Sequence, residues 1–256
     1  MSLIYQHFRP DEKEFVDAVL EWKLAVENQY SAKRTDFLDP RQQYIVESII
    51  GNNDEILFSF YPENTERKRA LLYPSYFQPE EEDFGIKLFE IQYPSKFVTI
   101  EHRQVLGTLM SLGLKREKFG DILSEDDTIQ LMLADEISEY VRMELKQIGK
   151  AKISMKDIPM EDRIESKEEW MEKVTTASSL RLDVILAAIY NDSRQKAQTL
   201  IKSNHVKVNW KTVENASFEV EAGDVISARG YGRSKLLSIE GRTKRDKWRI
   251  SVGILK

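Results

Sequence analysis

Cysteine is absent from the chain, which excludes disulfides, thiolate zinc sites and cysteine nucleophiles. Histidine is scarce: His7, His102 and His205 stand far apart, with no carboxylate or second histidine at metal-ligand spacing. Glycine-rich phosphate loops are missing, since neither Gly-x-Gly-x-x-Gly nor Gly-Lys-Ser/Thr occurs. Adjacent acids such as Asp126-Asp127 exist, but among 43 acidic residues such pairs arise by chance. No catalytic residue, metal, cofactor or small-molecule substrate is therefore expected. Long apolar runs are lacking too, none approaching the roughly 18 residues of a membrane helix. The opening Met1 to Phe8 has no basic head followed by an apolar stretch, so no secretory leader is expected. A cytoplasmic chain without membrane attachment is the expectation.

What is present is an ordinary folded composition, 41% hydrophobic and 32% charged. Its 256 residues allow two domains, or three small ones. The net charge of −5 is unevenly spread: from Ser178 onward 15 Lys+Arg face 8 Asp+Glu (+7), and the remainder has 23 against 35 (−12). Such asymmetry points to a polyanion at the basic end.

Periodicity predicts an α+β chain. A helix is expected between Pro10 and Tyr30, and another from Asp39-Pro40 to Gly51. Strands follow at 55–60 and 70–73, closing an N-terminal α/β region over 1–78. The acidic stretch 79–83 reads as a linker. Residues 84–158 then alternate as strand 84–92, helix 101–112, strands 121–123 and 128–133, helix 135–148 and strand 150–156. That β-α-β-β-α-β order is the ferredoxin-like arrangement, which many RNA-binding domains share. A second linker is expected at 159–167, with a strand at 168–177 leading into a third domain, 178–256.

In that third domain Leu182, Ile185, Leu186 and Ile189 form one helical face. Asp192 or Ser193 can cap a second helix, 194–203, and Asn204 suits a left-handed end. Strands are expected at 206–209 and 225–229, then two more with a turn at Gly241. Arg181-Leu182-Asp183, Ser193-Arg194-x-x-Ala197-x-x-Leu200-Ile201, Val206-x-Val208-Asn209 and Gly223-Asp224-x-Ile226-x-x-Arg229-Gly230 together resemble the ribosomal-protein S-four RNA-binding domain. Asn204 stands where that family usually has glycine, and asparagine tolerates the left-handed conformation. Arg181, Ser193, Arg194 and Lys196 lie at helix starts, where free N–H groups and cations make a phosphate site. Lys202, Asn204, Lys207, Asn209, Lys211, Arg229, Arg233 and Lys235 extend the expected RNA-binding set. For any single lysine a solvated charge is the alternative. Asp183 is expected to orient a neighbouring arginine, and Tyr231 either to stack on a base or to cover a strand.

Two further strings matter. His102-Arg103-x-x-Leu106-Gly107-x-Leu109-Met110-x-Leu112 with Gly113 to Leu123, and Asp36 to Pro40 with Glu66 to Pro74, resemble the YlmH family. That resemblance covers nearly the whole chain and implies a bacterial protein; the missing catalytic and cofactor motifs make a non-enzymatic binder the expectation. Its implied partners are rRNA of the large ribosomal subunit, and tRNA, in stalled-translation quality control. The family's gene neighbourhood also carries a cell-division label. His102, Arg103, Lys115, Arg116 and Lys118 form a secondary RNA-binding set, and Glu66 to Arg69 a weaker candidate with a salt-bridged surface turn as its alternative. Other readings are an RNA-modifying enzyme with an unfamiliar site, and a division-associated adaptor using the acidic front half.

Overall fold

The computed structural model describes residues 3–51, 55–165 and 169–255. Helix and strand are mixed, as an α+β chain requires, and the chain divides into two compact units, 1–166 and 167–256. Among the described residues no helix is long and apolar enough to cross a membrane.

The first unit opens with α1 (Lys13–Gln29), β1 (Lys33–Leu38), α2 (Pro40–Ile50), β2 (Ile56–Tyr61) and β3 (Lys68–Pro74). Asp39 and Gln42 cap α2 reciprocally, each side chain accepting the other's backbone N–H at 2.9 and 3.0 Å, with Pro40 in the first turn. The three strands are antiparallel in the order β1-β3-β2. No element is expected between Tyr30 and Asp39, where the chain forms strand β1. Tertiary contacts make it a strand: Phe37 and Leu38 are buried, and at an irregularity in the β1–β3 pairing Thr35 Oγ1 accepts the N–H of Ala70 at 2.9 Å.

Next come β4 (Ile86–Gln92), α3 (His102–Ser111), β5 (Phe119–Glu125), β6 (Thr128–Ala134), α4 (Asp135–Glu144), β7 (Gln147–Ile148), β8 (Ala151–Lys152) and β9 (Ser154–Ile158). The sheet order β5-β6-β4-β9, antiparallel throughout, is the expected ferredoxin-like topology. The helix expected over 135–148 stops at Glu144, and the strand expected from Lys150 starts at Ser154. Between them the chain reverses through a β7–β8 hairpin at Gly149, whose φ is +57°. The reversal buries Leu145, Ile148 and Ala151, which outweighs four more residues of exposed helix.

Both faces of this sheet are covered. Phe89, Leu131 and Leu133 pack under Val105, Leu109 and Val141 of the helices. On the other side Leu88, Met132 and Ala134 meet Phe37, Ile158, Met160 and Ile164. The expected linker 159–167 is in part a lid over that side: buried Gln130 donates to the Asp162 carbonyl at 2.9 Å and accepts the Ile164 N–H at 2.7 Å. The acidic stretch 79–83 leads into a capped 3-10 turn, Glu81–Phe84, with Phe84 buried.

One arginine ties these parts together. Arg69, 2% exposed, donates Nε to the Thr35 carbonyl at 2.7 Å, Nη1 to the Gly85 carbonyl at 2.9 Å, and both Nη groups to Glu136 at 3.1 Å. Lys118 bonds Glu136 and Asp36 at 2.9 and 2.6 Å. Arg67 is also buried, and Asp121 accepts the backbone N–H groups of Glu66 and Arg67 at 2.7 and 3.0 Å. Glu66 to Arg69 is thus no surface turn. Both arginines are interior: Arg69 reaches the carbonyls and the carboxylate just named, while Arg67 donates Nη2 to the Phe37 carbonyl at 2.9 Å and keeps a buried Nε without a hydrogen-bond partner among the described residues.

The second unit comprises β10 (Trp170–Ala177), α5 (Leu182–Tyr190), α6 (Arg194–Lys202), β11 (Val206–Val208), β12 (Lys211–Thr212), β13 (Val225–Ala228), β14 (Gly232–Arg242) and β15 (Trp248–Leu255). The start expected for β10 at Glu168 lies outside the described residues. The sheet runs β10-β15-β14-β13-β11-β12, and α5 and α6 pack on one face of it over Val206, Ile226, Leu236 and Ile250. The turn expected at Gly241 falls at 243–247; Gly241 lies within β14, where the register with β15 shifts.

Candidate nucleic-acid interface

Arg181 is the N-cap of α5. The start of this helix is not open: Leu182 N–H donates to the Phe218 carbonyl at 2.8 Å and Asp183 N–H to the Ala216 carbonyl at 3.2 Å. The positive charge at this helix start comes from side chains instead. Asp183 is fully buried and accepts from Arg181 Nε and Nη2 at 3.1 and 3.2 Å, from Arg194 Nε at 2.8 Å and from Gln198 Nε2 at 2.7 Å. Burial alone would raise the carboxyl pKa, but these hydrogen bonds outweigh it and bring it down to about 2. One anion therefore holds two guanidinium groups whose side chains remain 38% and 54% exposed. Gln198 escaped the sequence reading, although it lies four residues after Arg194 and so shares its helix face.

Helix α6 is capped by Ser193 Oγ, which accepts the Lys196 N–H at 3.2 Å. Beside it, Asp192 accepts from Lys196 Nζ at 2.6 Å and from Tyr231 Oη at 2.5 Å. The Lys196 ammonium also sits 5.4 Å over the Tyr231 ring, and that ring lies 4.6 Å from Tyr190. The Lys196 hydrogen bond is the main reason that the Asp192 pKa falls to about 2. Lys196 and Tyr231 are thus engaged within the protein.

The remaining expected residues do not form one surface. Asn204 takes φ +58° and ends α6 by its backbone, with Lys202 exposed just before it. Asn209 is turned inward: its amide donates to Asp224 at 2.8 Å and accepts the Val225 N–H at 3.0 Å. With Trp210 it forms the two-residue β11–β12 turn, both at positive φ. Its position shapes that turn. Lys211 is exposed on β12, and Arg229 Nη1 lies 3.2 Å from His205 Nε2. Strand alternation sends Lys207, Arg233 and Lys235 to the sheet face opposite the helices.

In the first unit His102 is exposed at the start of α3, and burial followed by the nearby Arg116 lowers its pKa. Arg103 is 83% exposed and paired with Glu101 at 2.6 Å. Lys115 is exposed. Arg116 turns inward to the Phe119 carbonyl at 2.6 Å, and burial, then Arg67, bring its pKa to about 10. Lys118 belongs to the Asp36–Glu136 network, whose hydrogen bonds overcome burial and raise its pKa. The open surface therefore keeps His102, Arg103 and Lys115, while Arg116 and Lys118 hold the fold.

Residues 79–162 match the family model "Putative RNA-binding domain in YlmH", and residues 180–226 match the S4 domain. "Ribosome-associated protein quality control protein P2" of Bacillus subtilis (strain 168) is 48% identical over 252 residues, covering 98% of each chain. The solved structure "Cell division protein ylmH from Streptococcus pneumoniae" aligns with a TM-score of 0.55 at 36% identity, over 62% of this chain and 98% of its own. The YlmH domain model, with a relative of this identity along nearly the full length, places the chain in the YlmH family.

Proposed function

We propose that this chain is a non-catalytic RNA-binding protein that docks on structured rRNA of the large ribosomal subunit and acts in stalled-translation quality control, with tRNA as a further contact. The observation that carries this reading is the Asp183-held pair of half-exposed guanidinium groups at the starts of α5 and α6. Arginine fixed in this way can grip a phosphate bidentately. The name of the Bacillus subtilis relative supports the ribosomal setting. Sedimentation of the full chain through sucrose gradients tests it. The wild type should travel with large subunits and detach as salt rises. Replacing two phosphate-contacting arginines should flatten the log affinity against log salt slope by about 1.5. So Arg181→Ala with Arg194→Ala should release the protein while circular dichroism stays unchanged. Free migration of the wild type at low salt overturns the reading. The name of the Streptococcus pneumoniae relative favours a division adaptor as a second reading; partners that survive RNase in a pull-down would support it.

A further inference from the structure

The six-stranded sheet of the second unit has an outer face that the S4 match, ending at residue 226, scarcely reaches. Val206, Val208, Ile226, Ala228, Leu236 and Val252 point into the core under the helices, so the residues between them point away. Register then builds two rows. Lys207 pairs with Ser227 and Ser227 with Arg233, across β11, β13 and β14. In the next row Val225 pairs with Lys235, Lys235 with Gly253, and Gly253 with Glu172. Strands lie about 4.8 Å apart and alternate residues about 6.6 Å apart along a strand, so the three cations fall within roughly 10 by 7 Å. Trp170, the register partner of Leu255, leans across to this second row: a Cβ added to Gly253 would meet its Cε3 at 3.2 Å and its Cβ at 3.5 Å, with Leu237 Cδ1 at 3.7 Å. The indole is thus next to Gly253, the register partner of Lys235. Glu172 is the acid of these rows; Glu240, further along β14, is bound to Arg249 at 2.9 Å.

An aromatic ring seated on a small residue, beside cations spaced along a sheet face, suits single-stranded nucleic acid. The ring takes any base by its π-face and the cations follow the backbone. We infer that this outer face is a second RNA surface, which stacks an unpaired base on Trp170 and holds the flanking phosphates with Lys207, Arg233 and Lys235. The excess of cations favours a polyanion over a protein partner. The inference rests on the reading of the chain as an RNA binder, but uses none of its helix-end residues.

The test is fluorescence anisotropy of the full chain with a labelled short oligouridylate, in the Arg181→Ala/Arg194→Ala background that silences the helix ends. That background should still bind the oligonucleotide. Trp170→Leu should weaken binding about tenfold and Trp170→Phe should restore most of it. Lys207→Gln with Lys235→Gln should flatten the salt slope by about 1.4 between about 50 and 200 mM salt. If Trp170→Leu fails to fold, the lysine pair, Lys207 exposed and Lys235 half-buried, decides alone. Loss of binding in a background that circular dichroism shows to be folded, or unchanged affinity and slope when the lysine pair is made in the wild-type chain, overturns the inference. A lysine-pair variant that keeps oligouridylate but leaves the ribosome assigns the face to a protein and also overturns it. Wild-type protein that binds oligouridylate yet never sediments with ribosomes overturns the ribosomal reading and leaves this one supported.

Discussion

Asp183→Asn separates a positioning role from simple charge. The substitution keeps the shape but replaces one acceptor oxygen by an NH₂ group that faces guanidinium. Asp183 carries a pKa of about 2, below the ordinary 3.8. Its folded value is depressed, so its stabilisation is complete above about pH 4 and disappears as pH falls through about 2. A shift of this size corresponds to about 2 kcal/mol. For a unit of residues 167–256, that lowers Tm by on the order of 10 °C. Urea and thermal melts of wild type and variant should therefore differ by a constant amount above pH 5 and converge near pH 2. RNA affinity gives the sharper discrimination. Removing a negative charge beside phosphates would by Coulomb's law tighten binding. Releasing two long side chains from their clamp costs about 0.5–1.5 kcal/mol each when RNA must order them again. The expected result is binding tenfold or more weaker, by anisotropy on an rRNA fragment with the variant still folded. A variant that binds as tightly as wild type, or more tightly, refutes the clamp.

Arg69→Met should destabilise the first unit by about 3–5 kcal/mol, since Glu136 and the Thr35 and Gly85 carbonyls lose a buried partner; a urea midpoint within error of wild type would contradict this. Glu136 is held at a pKa of about 2: burial works against its charge, but the Arg69 and Lys118 hydrogen bonds outweigh it. Glu136→Gln should therefore narrow the stability gap to wild type only as pH falls from about 4 toward 2, which acid titration of the unfolding midpoint checks. Gly120→Ala would put a methyl 2.8 Å from both Phe37 Cε1 and Met132 Cβ. A loss of about 1–3 kcal/mol is expected from this overpacking, and a melting curve that does not move would show that β1 can yield.

The legible parts of this protein were those written in local pattern. Asp39-Pro40 announced α2, the 3.6-residue spacing announced α5 and α6, and the alternation in 84–133 led to the ferredoxin-like order. The missed parts depended on partners distant in sequence. Strand β1 is charged in sequence and exists because Phe37 finds Met132 and Ala134, and because Thr35 reaches Ala70. Arg67 and Arg69 sit in a basic run and read as surface until their carbonyl and carboxylate partners are known.

The same division holds for the interface. Residue order alone shows that the basic charge gathers at the C-terminal end, that Arg181, Asp183 and Arg194 belong to one motif, and that the chain resembles the YlmH family. How those charges are arranged depends on the folded chain. Asp183 gathers Arg181 and Arg194 from two helices, Asp192 keeps Lys196 and Tyr231, and strand alternation carries Lys207, Arg233 and Lys235 to the opposite face. Charge is a property of composition, whereas direction is set by which groups a folded backbone brings within hydrogen-bonding distance.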